Sequence, residues 1–253
     1  MRHFTTILSH EIRMLLVNAS TYIAAVLFLF VMGFIFSGVL ESYSAAPQET
    51  SPASVFFQLF WLPVWFMVPL LTMKCLAEER RLGTLETLFT APVSTTEVVL
   101  GKYFAAYFLY LLLWASTGGF FYILHHFAGD TRFIDLGPLM GGYLFIAVSG
   151  LLYVSLGVFA SSLTRHQAVA GIFAFAMLFG ITIGLRFVST LEVLNLETMA
   201  PFRAAIDYTL VFHHLDDFTR GVVDTRQLLF YVSGTVIALI FSILGVEAKL
   251  IHS

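Results

Sequence analysis

Long apolar runs alternate with short polar intervals along the whole chain, and that alternation predicts its elements. Runs at roughly 20–40, 53–76, 103–124, 138–163, 168–187 and 228–246 carry almost no charge. About 20 apolar residues wound as a helix cross the hydrocarbon core of a bilayer, so each run is expected to be a membrane span. Ahead of them, residues 1–17 put Phe4, Ile7, Leu8, Ile12 and Leu15 on one helical face, with His3, Ser9, His10 and Arg13 elsewhere. That pattern predicts an amphipathic helix lying in the headgroup plane. In the short loop before the second run, Ser51-Pro52 reads as an N-cap with proline at the first helical position. Trp61, Pro63, Trp65 and Pro69 predict that the second span is kinked and carries interfacial aromatics.

The polar intervals are patterned too. Thr164 to Gln167 is a very short turn, which makes the fourth and fifth spans an antiparallel pair. In the longer interval 188–227, Val211, Leu215 and Phe218 recur at i, i+4 and i+7, and Gly221 stands where a helix C-cap belongs. A short amphipathic helix, re-entering or lying on the outer leaflet, is expected there. Asp224-Thr225-Arg226-Gln227 is a capping pattern for the sixth span.

The interval 77–102, AEERRLGTLETLFTAPVSTTEVVLGK, is both charged and helically patterned. Glu78, Glu79, Arg80 and Arg81 would together cost on the order of 10 kcal/mol at a bilayer centre, so the stretch lies in water or against protein. Leu82, Leu85, Leu88 and Phe89 predict a short amphipathic helix, and Pro92 ends it. Ser94 to Glu97 then forms a capping box that starts the third span.

Composition agrees with a multi-pass membrane protein. The chain is 58% hydrophobic and 11% charged, where soluble domains carry about 25% charge. No independent soluble domain, internal repeat or low-complexity segment is expected, and the first residues lack a signal-peptide layout. There is no basic patch for nucleic acid and no phosphate-cradling glycine loop with a following lysine. Cys75 stands alone, so no internal disulfide forms, and its place at the end of a span makes it a small buried hydrophobe.

Six spans put both termini on one side, together with Arg80, Arg81, Lys102 and Arg165. Arg132 and the cluster from Arg186 to Arg226 fall on the other. Eight basic residues against five favours a cytoplasmic N-terminus. Ion-coupled carriers need ionisable groups inside their spans. Here Lys74 and Arg186 sit near span ends, which fits apolar cargo or a subunit that transmits force.

Glu79, Gly83, Thr84, Leu85, Glu86, Leu88, Pro92, Val93, Ser94, Gly101 and Lys102 match the form E-x-x-x-G-T-L-E-x-L-x-x-x-P-(V/I)-(S/T)…G-K. In this stretch the chain resembles the membrane subunits of type-2 ABC exporters. The resemblance implies an all-α integral membrane fold. Its parts would be six transmembrane helices, an N-terminal elbow helix (1–17), a cytoplasmic coupling helix between helices 2 and 3, and short outer helices between helices 5 and 6. It implies that Leu82, Leu85, Leu88 and Phe89 anchor in a groove of a separate soluble ABC ATPase, with Glu79 and Glu86 in polar contact. Gly83 would allow close approach, and Arg165 would make a second contact. ATP and Mg would be held by that partner, leaving no cofactor in this chain. Two permease copies, as a homodimer or with a paralogous permease, would sit in a bacterial inner membrane among lipid, with an extracytoplasmic accessory protein as a further candidate partner. Asp217 to Asp224 also resembles the F-S-R-G-V-(I/V)-D run of one branch, which includes the gliding-motility permease and the permease of nitrous-oxide-reductase maturation.

Two other chemistries were weighed on residues. His213, His214, Asp216 and Asp217, or His125 with His126, could be read as metal ligands, but adjacent histidines on a helix point about 100° apart, no two histidines pair at i,i+4, and a solvated polar face is simpler. Phe121 and His125 fit half of the motif of intramembrane CAAX-type proteases, while Glu78-Glu79 is followed by Gly83 where arginine is needed. A membrane anchor that recruits a soluble partner without transport is the remaining alternative.

Overall fold

The computed structural model describes residues 2–45, 50–83, 93–127, 135–191 and 199–250, and all regular structure among them is helical. In chain order these are α1 (Arg2–Val17), α2 (Ala19–Ala45), α3 (Pro52–Gln58), α4 (Trp61–Thr72), α5 (Ala77–Leu82), α6 (Thr95–Ser116), α7 (Gly118–Phe127), α8 (Leu136–Leu163), α9 (Gln167–Phe179), α10 (Leu185–Ser189), α11 (Ala200–Thr209), α12 (Val211–Thr219) and α13 (Thr225–Leu250). A single π-turn, Gly180–Gly184, joins α9 to α10. By length and composition five helical rods can cross a membrane, and α3 with the rod that starts at α4 makes a sixth, bent by 50°.

The second span is bent, as its prolines predicted. The bend falls at Leu59 and Phe60, whose N–H groups bond three residues back, to Phe56 and Phe57. Pro63 stands in the first turn of α4, where a missing N–H leaves nothing unsatisfied. Pro69 is carried inside α4. Leu59 stands four residues before Pro63, where the ring denies a helical carbonyl its i+4 partner, so the break lies where Pro63 puts it.

Helix α8 is the centre of the bundle and packs against α3, α4, α6, α9, α12 and α13. Lipid offers helices no hydrophobic reason to associate, so close packing and interhelical hydrogen bonds must hold them. Both are present. Tyr103, Tyr107 and Tyr110, on one face of α6, donate to the carbonyls of Leu151, Ala147 and Ile146 on α8 at 3.2, 2.7 and 3.3 Å. The rungs run antiparallel, as a short connection demands. Phe28 meets Trp114, and Phe60 meets Phe145, in edge-on contacts with centroids 5.2 Å apart. Each such pair contributes about 0.5–1.5 kcal/mol beyond its buried area. Trp65 Nε1 donates to Thr182 at 2.9 Å, tying the second span to the π-turn of the fifth.

At the end of the bundle away from α1, α12 folds as its spacing predicted. Val211, Leu215 and Phe218 are buried, and Gly221 closes the helix at φ +80° while Val222 N–H reaches back to Asp217 O at 2.9 Å. The capping pattern before α13 holds only in part. Asp224 accepts from Arg226 N–H at 2.8 Å, but the Gln227 side chain turns away to donate to Asp217 at 2.7 Å.

The solvated reading of His214 is corrected. His213 is exposed, but His214 lies at i+3 from Val211 and is only 3% exposed. Its Nε2 lies 2.9 Å from the Tyr208 carbonyl and its Nδ1 3.0 Å from the Tyr231 hydroxyl. Assigned from that network, the neutral ring donates from Nε2 and accepts at Nδ1. Burial, helped by His213, holds His214 below the usual histidine range against the Tyr208 carbonyl, Asp217 and Asp224, which favour the charged form. The folded state therefore binds fewer protons than the unfolded one. The stability this gives is present above about pH 6.5 and lost as pH falls through the depressed value. Going from about pH 7.5 to about pH 5 should lower the thermal midpoint of the wild-type chain more than that of His214→Gln, as read by tryptophan fluorescence in detergent.

Candidate functional site

The capping box at Ser94 is formed: Ser94 Oγ accepts from Glu97 N–H at 3.2 Å and Glu97 Oε2 accepts from Ser94 N–H at 3.3 Å. It sets the start of α6. The rod Thr95–Phe127 has 33 residues, about 50 Å at 1.5 Å each, against a hydrocarbon core of about 30 Å. The first turns of α6 therefore project beyond the apolar layer. At the base of that projection Gly101, Lys102 and Tyr103 are all buried.

Lys102 Nζ lies 2.7 Å from Glu11 Oε1 of α1 and 2.7 Å from Glu79 Oε1 of α5. The lysine side chain is 5% exposed and the two carboxylates 19% and 24%. One ammonium thus holds three helices that are distant in sequence. The preceding glycine makes the approach feasible: a Cβ at Gly101 would lie 2.7 Å from Ile7 Cγ2 of α1. Glycine lets α1 in, and lysine fastens it.

Further bonds surround this junction. Lys74 Nζ donates to Asn18 Oδ1 at 3.4 Å, and Asn18 Oδ1 also accepts from Ser20 N–H at the start of α2. The break between α4 and α5 frees N–H groups, which Ser161 of α8 satisfies. Its Oγ accepts from Leu76 and Ala77, each at 3.0 Å, and donates to Met73 O at 3.3 Å. Arg80 donates to the Ser162 carbonyl near the end of α8.

Of the residues expected to contact an ATPase, the structure brings Glu79 into this junction, where it meets Lys102. Arg165 lies exposed in the turn between α8 and α9, within electrostatic reach of Arg80. Leu82 is exposed and ends α5. Gly83 stops α5 at φ +71°, in the left-handed region that glycine enters without strain. Within the chain, that conformation is what Gly83 supplies. Thr84, Leu85, Glu86, Leu88, Phe89 and Pro92 lie outside the described residues. The role of Lys102 as a buried hub was not foreseen, nor was Glu11. The usable signal was a lysine two turns into an apolar helix, which burial would force to find acids.

The other candidate groups stay apart. Among the described residues no three His, Cys, Asp or Glu gather as metal ligands, and His125 and His126 are exposed. His125 and the Glu79–Lys102 pair stand at opposite ends of the α6–α7 rod, roughly 35 Å apart along the helix. The two halves of the protease pattern therefore cannot share a site. Cys75 is buried, its thiol 3.6 Å from Leu71 O.

Removing one partner of a buried pair leaves the other charge uncompensated. Lys102→Met should cost about 3 kcal/mol of unfolding free energy in mixed micelles, near the low end for buried pairs because both glutamates keep some exposure. Glu11→Gln should cost less, since Glu79 still holds the lysine. A neutral Lys102→Met would show that the junction does not hold the helices.

Compared with known protein families, residues 40–244 match the model described as ABC-2 family transporter protein. The match begins near the end of α2 and reaches well into α13, so it covers most of the bundle but not α1. No curated protein matches the chain significantly. A helical bundle of five to six candidate spans among the described residues, with 205 residues matched in sequence order, is a membrane component. The chain belongs to the ABC-2 transporter family, as a permease subunit.

Proposed function

We propose that this permease works in an exporter driven by a separate ATPase subunit, which docks on the stretch 84–92 and neighbouring residues. The observation that carries the reading is the Lys102 junction. A stretch that docks a motor can act on the membrane helices only through a stiff connection. Here α5, which leads into 84–92, is tied by Glu79 to the base of α6 and through Lys102 to α1. Movement at the docking stretch would reach the second span, the third span and the elbow helix together. Leu82, Leu85, Leu88 and Phe89 would supply the apolar anchor, Glu86 a polar contact, and Arg165 a second contact from the adjoining turn.

On this reading ATP and Mg bind the partner, and two permease copies pair, as a homodimer or with a paralogue. Both termini and the docking stretch face the cytoplasm of a bacterial cell, as the distribution of basic residues supports. The Asp217–Asp224 run supports placing the chain in the branch of the gliding-motility and nitrous-oxide-reductase-maturation permeases. Its parts have structural work: Phe218 is buried against α8, and Gly221 terminates α12.

Gentle purification from the native membrane should bring down a soluble subunit bearing a nucleotide-binding glycine loop. Leu85→Asp should abolish that recovery while leaving the permease folded, since a charge in an apolar docking groove is left without a partner. Recovery of the chain alone, where comparable ABC complexes survive, would contradict the proposal.

A further inference from the structure

The helix α3 separates two unlike cavities at the end of the bundle away from α1. Its inner face, Pro52, Ala53, Phe56 and Phe57, is buried. On one flank Ser51, Ser54 and Gln58 line a polar cleft of about 470 Å³, completed by Asp135 at the start of α8 and by Asp216 and Arg220 of the α12 region. On the other flank Val55 and Leu59 line an apolar groove of about 480 Å³, walled by Phe30, Phe34 and Gly38 of α2. Consecutive residues, Ser54 with Val55 and Gln58 with Leu59, face different cavities. The polar and apolar walls therefore adjoin along one short helix. Each volume falls within the range of small-molecule sites.

The cleft offers groups that the fold does not use up. Ser51 holds the N-cap position of α3 in extended conformation, as its sequence suggested, yet its hydroxyl makes no cap bond. Ser51 Oγ is buried and has no hydrogen-bond partner among the described residues. Asp216 and Arg220 form no ion pair among the described residues, and with Asp135 they put two carboxylates and one guanidinium on the same cleft. A ligand bearing only one sign would leave the other facing it unfavourably. The groove beside it is open: at Gly38 no atom lies within 4 Å of where a Cβ would stand.

We propose that these two cavities form one site for a zwitterionic phospholipid. Its head group would sit in the cleft, with the ammonium toward Asp216, the phosphate toward Arg220 and an ester or phosphate oxygen accepting from Ser51. One acyl chain would lie in the groove. The site stands apart from the coupling reading, because it needs neither ATP nor an ATPase.

The full-length chain in detergent is titrated with spin-labelled phosphatidylethanolamine and, separately, with spin-labelled phosphatidylglycerol, and the immobilised fraction is read by electron paramagnetic resonance. Phosphatidylethanolamine should bind roughly tenfold more tightly than phosphatidylglycerol, the scale set by one hydrogen bond to a charged group. Gly38→Phe, which fills the open groove, and the pair Asp216→Asn with Arg220→Gln should each weaken binding by about the same factor. Equal binding of the two lipids would overturn the proposal. So would binding that either variant leaves unchanged. Displacement by glycerophosphoethanolamine as effective as by intact lipid would overturn it too, by showing that the groove takes no chain.

Discussion

A buried ammonium shared by two carboxylates sets the geometry of the end of the bundle that carries α1. Lys102 is the only charged residue among the fully buried side chains described, and a lysine is rarely taken out of water without acids to meet it. Once it is placed, α1 must cross α6 at Gly101, and α5 must turn back toward α6 to present Glu79. The breaks around it follow. Ser161 caps the gap between α4 and α5, and Asn18 starts α2 while reaching Lys74. A hydrophobic core alone would not choose this arrangement, because apolar helices in lipid have many packings of similar energy. Charge pairing is directional where apolar contact is not.

The two ends of the bundle are built by different means. The α1 end is fastened by ions and carries the charged stretch with its turn residue Gly83. The other end is closed by aromatic and neutral polar contacts, with His214 between Tyr208 and Tyr231 and with Gln227 on Asp217. Between them the tyrosine rungs from α6 to α8 and the Trp65–Thr182 bond supply polar glue between neutral groups. Such a centre can slide or tilt without stranding a charge in hydrocarbon, which suits a subunit that transmits movement.

Much of this was legible in the sequence, because membrane spans announce themselves by length and charge. The Ser94 capping box, the buried face of α12 and the Gly221 terminator each arise from local rules and stand as read. Proline positions suggested a kinked second span, and the break at Leu59 and Phe60 lies one turn before Pro63, where its ring acts. Gly83 takes a left-handed conformation that ends α5 after Leu82, and apolar spacing does not mark such a stop. What else was hidden depended on partners far along the chain. His214 was legible in principle, since Val211, His214, Leu215 and Phe218 share one face. Its chemistry argued for water and outweighed its position. The pairing of Lys102 with Glu11 and Glu79 joins residues some ninety and twenty positions apart, and no periodicity encodes that.

If Lys102 makes α1, α5 and the base of α6 one rigid unit, distances within that unit must survive the working cycle. Spin labels at the exposed positions Ser9 and Arg81, in a Cys75→Ser background, report the α1–α5 separation by double electron–electron resonance in the complex with its ATPase. The account predicts one narrow distance that is the same with and without ATP, and that broadens in Lys102→Met. A wild-type distance that shifts on adding ATP would contradict it.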